Sequence, residues 1–366
     1  MHYRRWLPGL LLGLSLGGCT TFVARQIERP GHPNRKQLAW FSTQLKQAHF
    51  QRDAMRTRDG VRIAYWYDSP HAFGVEVPIV EQRRDRRFTL NFQIDYKGSL
   101  GHAAPIPARG SVVLLHPWGL AGSAMAMWGL LLAQSGYVVV LPDLRSQGNS
   151  DDAPVGYGPR EAGDMVDLVH HLRATDRLPG PLYLLGASYG ATVALFAAPR
   201  LPEVQGVIAI EPYANAAAVI RRAPASGLFG YRWLAHLITD EEIDAAIARA
   251  SRKLGVDLDR LGPGDALAET SACTLLLRGS DDVLVSNTDL ELLSRRSRLA
   301  DFVEIPDEGH LSLPLRTDRL LPPLLAWMQS LPAAPKTCPA FSLPPAKPVS
   351  AKHASARATA KAKPRR

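Results

Sequence analysis

Six short runs along the chain are apolar at nearly every position: Val112–Leu115, Tyr137–Leu141, Leu182–Leu185, Val207–Ile210, Thr274–Leu277 and Phe302–Ile305. Uninterrupted hydrophobicity, unlike strict alternation, marks strands buried on both faces, as in a parallel sheet covered by helices. Upstream the pattern differs. Residues Met55–Tyr67 alternate around Asp59-Gly60, which signals a hairpin. Phe88–Ile94 alternates as well, so the sheet is expected to open with antiparallel strands. Between the apolar runs, Ala162, Met165, Val166, Val169 and Leu172 recur at helical spacing, with Asp164, Asp167 and His171 on the opposite side. Strand, helix and strand repeated in this way predict an α/β, mostly parallel, doubly wound sheet. Ligands of such sheets bind outside the carboxyl ends of the strands.

One interval breaks the rhythm. Between Ile210 and Cys273 lie about sixty residues, more than one crossover needs. Thr239-Asp240-Glu241-Glu242 fits a capping box, and Ile243, Ala246, Ile247, Ala250 and Leu254 continue it as a helix. Phe229, Tyr231, Trp233 and Leu234 suggest another helix. The insertion, about 213–270, is expected to form a small helical cap.

The net charge of +9 suggests a nucleic-acid partner until it is located. From Leu331 to Arg366 there are eight Lys/Arg and no Asp or Glu; the remaining 35 bases and 34 acids nearly balance. No nucleic acid is therefore expected as a partner. The segment 332–366 reads as a disordered Pro/Ala/Lys tail suited to contact with an anionic envelope surface. At the other end, Arg4 and Arg5 precede a short apolar stretch, Leu7–Leu16. It falls short of the ~20 residues of a membrane span and reads as an export signal, 1–18. The following Leu16-Gly17-Gly18-Cys19 resembles the lipobox of bacterial lipoproteins. That resemblance implies lipid attachment at Cys19 and, because Thr20 is not aspartate, an outer-membrane address facing the periplasm. Residues 19–50 then read as a spacer leading to one amphipathic segment, and 51–331 as the folded domain. Of the other two cysteines, Cys273 begins a strand and Cys338 lies in the tail; an oxidising compartment permits a disulfide between them. No zinc-type spacing occurs.

The chemistry centres on Gly186-Ala187-Ser188-Tyr189-Gly190, which follows one apolar run and opens a helix-forming stretch. A serine on a sharp strand-to-helix turn exposes its hydroxyl, and flanking glycines let the chain bend that tightly. A serine hydroxyl needs a histidine to take its proton and an acid to orient that histidine. The fifth apolar run leads into Gly279-Ser280-Asp281-Asp282 and the sixth into Gly309-His310, so an acid and a histidine leave the sheet edge from which Ser188 emerges.

Together these landmarks resemble an α/β-hydrolase from about Met55 to Leu331. His116-Pro117-Trp118-Gly119 is similar to the family's oxyanion loop, and Asp143-Leu144-Arg145-Ser146-Gln147-Gly148 to the loop after the next strand. Two departures stand out: Pro117 and Ser146 replace the family's usual glycines. The resemblance implies an α/β-hydrolase fold with a helical cap and a triad of Ser188, Asp282 and His310. Asp282 is preferred to Asp281 because Gly279 and Val285 stand at the family's spacings around it. Glu211, after the fourth run, resembles a position that some α/β-hydrolases use for the acid, and otherwise reads as a pocket wall or loop anchor. The resemblance further implies that His116 buttresses the oxyanion loop and that Asp143 holds its own loop. Trp118 and Tyr189 would give the oxyanion-hole N–H groups, since proline has none. Trp118, Met125, Met127, Trp128 and Tyr213 are candidates for an apolar pocket or for plain core. The implied activity is hydrolysis of an ester, thioester or amide of a small acyl substrate, without cofactor or metal. A serine peptidase of the same fold and a catalytically inert envelope-binding lipoprotein are the alternatives.

Overall fold

The computed structural model describes residues 20–30, 35–72, 74–84, 87–97, 104–226 and 238–343. In chain order, helix α1 (20–28) and helix α2 (Arg35–Gln47) lead into strands β1 (Gln51–Arg56) and β2 (Arg62–Asp68). Short strands β3 (Val75–Glu76), β4 (Ile79–Arg84), β5 (Arg87–Phe92) and β6 (Asp95–Tyr96) follow. The alternating part is β7 (Gly110–Leu115), α3 (Ala126–Gln134), β8 (Tyr137–Pro142), α4 (Pro159–Ala174), β9 (Leu182–Ala187), α5 (Tyr189–Ala197) and β10 (Val204–Ile210). The insertion supplies α6 (Ala216–Ser226), α7 (Asp240–Leu254) and α8 (Gly264–Glu269). The chain then returns through β11 (Cys273–Gly279), α9 (Asn287–Ser294), β12 (Ala300–Ile305) and α10 (Thr317–Ser330).

Eight strands form one sheet in the order β1-β2-β8-β7-β9-β10-β11-β12, with the six expected apolar runs as its parallel part. The β1–β2 hairpin joins it antiparallel through β8. The alternation at Phe88–Ile94 has a different outcome from the expected one: β5 pairs with β4 in a separate ribbon. The main sheet has a core on each face. Val113, Leu115, Val138 and Val140 point to α4, α5 and α7, while Val112, Leu114, Val139 and Leu141 point to α2, α3 and α10. Side chains alternate across a strand, so covering both faces requires apolar residues at every position. On α4, Asp164 departs from its expected solvent face; it is buried and bonded to Arg145 at 2.7 Å. Burial raises its carboxyl to about 6 even against the Arg145 contact that lowers it.

The capping box at Thr239 forms as read. Thr239 Oγ1 accepts the Glu242 N–H at 3.2 Å, Glu242 Oε2 accepts the Thr239 N–H at 3.0 Å, and Gly255 ends α7 at φ 64°. The helix suggested around Phe229–Leu234 lies outside the described residues, as do the export signal and Cys19. Among the described residues, no helix is long and apolar enough to cross a membrane.

Both expected boundaries of the domain move outward. Residues 20–30 and 35–48 pack as part of the body rather than as a loose spacer: Ala24 and Ile27 enter one core, and Phe41, Leu45 and Ala48 the other. Lys253 pairs with Glu28, and the Tyr157 hydroxyl donates to Ile27 O at 2.7 Å. Two helices stand where one amphipathic segment is expected, and each brings an apolar stripe. The tail also begins later than 332. Cys338 is joined to Cys273, Phe341 is buried, and Trp327 Nε1 donates to Pro339 O at 3.0 Å. Residues 344–366 lie outside the described residues.

The disulfide spans a sequence separation of 65. A loop of that length implies about 4 kcal/mol from restricting the unfolded chain, and native disulfides are worth roughly 2–5 kcal/mol in practice. Cys338→Ser is therefore expected to lower urea stability by about 2–4 kcal/mol. Reductant should lower the parent protein's midpoint to the same value and leave the variant's unchanged; equal midpoints with and without the bond would contradict the packing described.

Candidate active site

The site is built where β9, β10, β11 and β12 end side by side. At the end of β9 the chain turns abruptly at Ser188, whose φ of 52° is costly for a residue with a Cβ, by about 1–3 kcal/mol. Its N–H is tied to Ile210 O at 2.8 Å. The glycines answer to close packing. A Cβ on Gly186 would lie 2.3 Å from Gly190 O, and one on Gly190 would lie 2.3 Å from Leu115 O. Strand β9, helix α5 and the end of β7 can thus approach only with hydrogen at those positions.

Two hydrogen bonds connect the three expected side chains. Ser188 Oγ lies 2.8 Å from His310 Nε2, and His310 Nδ1 lies 2.8 Å from Asp282 Oδ2. Asp282 Oδ1 accepts the N–H groups of Leu284 (2.7 Å) and Val285 (3.1 Å). The acceptor roles of the carboxylate leave the Nδ1 proton on the histidine and Nε2 free to accept from serine. Burial opposes charge on Asp282, but the bond to His310 and the Glu211 carboxyl beside it outweigh it and hold its carboxyl far below the usual carboxylate range. Asp281, by contrast, is exposed; its N–H donates to Glu308 O at 2.8 Å and ties the acid loop to the histidine loop.

Glu211 is fully buried, with φ 56°. Its Oε1 accepts the Gly279 N–H at 2.8 Å. Burial, reinforced by Asp282 beside it, pushes its carboxyl well above the ordinary range. Glu211, Asp282 and His310 each bring one potential ligand atom within 4.8 Å of the others, the one such group of acids and histidines among the described residues. Both nitrogens of His310 already face Asp282 and Ser188, so a cation there would have to displace those bonds.

The loop after β7 lies against the serine turn. His116 Nε2 accepts the Leu144 N–H at 3.0 Å, and Nδ1 faces Pro117 O at 2.8 Å; burial lowers its pKa against the pull of that carbonyl. His116 is thus a neutral brace. Asp143 accepts from Gly122 N (2.7 Å), Asn149 N (2.8 Å) and Arg52 (3.0 Å), which holds its loop. Ser146 occupies the left-handed conformation at φ 60°, where glycine carries no penalty, and its hydroxyl accepts the Ala153 N–H at 2.9 Å. Gly119 N–H is taken by Gln147 Oε1 at 2.7 Å and Leu120 N–H by Pro117 O at 3.3 Å. Among the described residues, no protein acceptor takes the N–H of Trp118 or of Tyr189. Their rings are adjacent, with centroids 4.8 Å apart.

The remaining pocket candidates resolve as core. Met125, Met127 and Trp128 lie in the cluster beneath α2 and α3, and Trp128 Nε1 donates to Pro314 O at 2.8 Å. Tyr213 is buried, with its hydroxyl donating to Tyr157 O at 2.7 Å. Trp118 alone is half-buried. Three positioning residues escaped the sequence reading. Arg278 fastens the acid loop by donating to Val285 O (2.7 Å) and Asp282 O (2.8 Å). Glu308, fully buried, is held by Arg316 (2.6 Å) and Arg319 (2.7 Å) beneath the histidine turn. Gln147 is the third. Arg278 left a trace, a lone cation closing an apolar run; the other two left none.

A model of the alpha/beta hydrolase family matches residues 112–322. No curated protein matches the chain by sequence. Among solved structures, an esterase of Pyrococcus furiosus is 18% identical with a TM-score of 0.51, over 76% of this chain and 88% of the esterase. E-2-(acetamidomethylene)succinate hydrolase is also 18% identical at a TM-score of 0.51, over 77% of this chain and 100% of its own. An alpha/beta hydrolase from a Penicillium species is 14% identical at 0.51, over 76% and 96%. At such identities the likeness is one of fold.

Proposed function

Because the chain belongs to the alpha/beta hydrolase family, we propose that it is a serine hydrolase that cleaves a carboxylic ester through an acyl-enzyme. The observation that carries this reading is the continuous series from Ser188 Oγ through His310 to Asp282, with both links at 2.8 Å. Ser188 attacks the carbonyl while His310 Nε2 takes its proton. Asp282, ionised and bonded to Nδ1, holds the ring in the required tautomer and stabilises the imidazolium. The tetrahedral oxyanion receives the free N–H groups of Trp118 and Tyr189, the latter at the start of α5 where the helix leaves its first donors unused. Each such donor is worth roughly 3 kcal/mol to the transition state. His310 then protonates the leaving alkoxide. Water, activated by the same ring, releases the acid.

Val283 and Leu311, which follow Asp282 and His310 in the sequence, are large apolar residues 67% and 62% exposed. Ser188→Ala is expected to lower kcat on 4-nitrophenyl acetate and butyrate by about 10⁴-fold or more, the scale of triad removal. Its urea midpoint should stay near the parent's. Undiminished turnover would exclude Ser188 as the nucleophile.

We further propose that Cys19 carries lipid and places the enzyme on the outer membrane. The support is the Leu16–Cys19 motif after a short apolar stretch. With α1 starting at Thr20 and packed into the domain, such an anchor would hold the body directly at the bilayer, without a flexible spacer. Cys19→Ser expressed in a bacterial host should leave the membrane fraction or remain unprocessed. An unchanged distribution and mature mass would refute the anchor.

A further inference from the structure

The carboxyl of Glu211 presents a problem of protons. Its Oε1 is satisfied by the Gly279 N–H, but Oε2 is buried and finds no donor among the described residues. Asp282 and His310 lie beside this carboxyl, with one ligand-type atom of each of the three within 4.8 Å of the others. Two carboxylates so placed repel each other, and neither has a proton to offer the other. A cation could compensate, but the charges around the pair are already committed. Arg278, at the end of β11, spends its guanidinium on Glu304 (2.7 Å) and on the carbonyls of Asp282 and Val285. From the loop after β12, Glu308 is neutralised by Arg316 and Arg319. From the acid loop, Asp281 is turned to solvent. Glu211 is also held in place rather than resting there: its φ is 56°, a conformation costly to any residue with a Cβ, and its N–H donates to Leu277 O at 2.7 Å.

We propose that Glu211 is protonated and donates a hydrogen bond from Oε2 to Asp282, so that Ser188, His310, Asp282 and Glu211 form one chain carrying a single negative charge. This inference rests on the reading of Ser188, His310 and Asp282 as a triad. It supplies the donor that Oε2 otherwise lacks, and burial favours the neutral acid in the same direction. The functional consequence concerns His310. His310 then faces one negative charge rather than two, which suits a ring that must accept the serine proton. Glu211 is therefore a positioning residue. It orients Asp282 from behind and tempers its basicity without touching the substrate.

Glutamine at position 211 mimics the protonated acid: its carbonyl can accept the Gly279 N–H and its amide can donate to Asp282, with no charge to lose. Glu211→Gln is expected to keep kcat on 4-nitrophenyl butyrate within about threefold and to leave the acid limb of kcat/KM against pH where it is. Glu211→Ala removes the donor and leaves Asp282 more basic. Its acid limb should move to higher pH and its kcat fall about tenfold with KM little changed, as for loss of one hydrogen bond to a charged group. A downward shift of the acid limb in Glu211→Gln by about one pH unit would mean that a negative charge had been removed, and would overturn the proposal. Identical profiles for the Gln and Ala variants would overturn it as well.

A second readout needs no turnover and no alanine at position 211. In the Ser188→Ala background, the infrared difference at neutral pH between the protein that keeps Glu211 and the one that carries Glu211→Gln should show the C=O stretch of a protonated carboxylic acid. A carboxylate band in its place would overturn the proposal. If the parent protein hydrolyses neither 4-nitrophenyl ester, the ester-hydrolase reading fails while the infrared result still decides the state of Glu211.

Discussion

Everything at the site depends on how closely the backbone of the serine turn can approach its neighbours. A Cβ at Gly190 would lie 2.3 Å from Leu115 O and one at Gly186 would lie 2.3 Å from Gly190 O, so the turn exists only with glycine on both sides. That contact presses β9 and α5 against the end of β7. It fixes Ser188 in a strained conformation and leaves the first N–H of α5 without an acceptor among the described residues. The same packing brings the loop after β7, with the N–H of Trp118 equally free, to the side of the serine. Strain at Ser188 and unused donors beside it arise from one steric constraint.

The acid and the histidine are held by a second layer of buried charge. Arg278 pins the loop of Asp282 through two carbonyls, and Glu308 is clamped by Arg316 and Arg319 under the turn of His310. The N–H of Asp281 reaches Glu308 O and joins the two loops. Such charges are tolerated in the interior because each finds a partner; removing one partner from a buried pair costs about 3–5 kcal/mol. The arrangement keeps three loops in register so that two 2.8 Å hydrogen bonds can form in series.

Much of this was legible in the sequence, for identifiable reasons. Buried parallel strands need apolar residues at every position, so the six runs announce themselves. The serine turn needs its glycines, and the acid and histidine must leave the same sheet edge. What stayed hidden depends on distant partners. The stripes of Ala24, Ile27, Phe41 and Leu45 are short and diluted by polar residues, and they gain meaning only against the finished sheet. Cys338 sits in a segment whose composition reads as unstructured, yet its disulfide to Cys273 draws residues up to 343 onto the body. Gln147 and Glu308 act through backbone contacts that no local pattern encodes. Glu211 was visible as a spare acid, but its relation to Asp282 appears only when β10 and β11 are placed side by side.

The central claim is that one strained hydroxyl, activated by His310, is the reacting group. Treating the intact protein with a fluorophosphonate and mapping the adduct by peptide mass spectrometry tests it directly. A single phosphonyl group on Ser188, formed in the parent but not in His310→Ala, is the result expected. An adduct on another residue, or none on a folded protein, would contradict it.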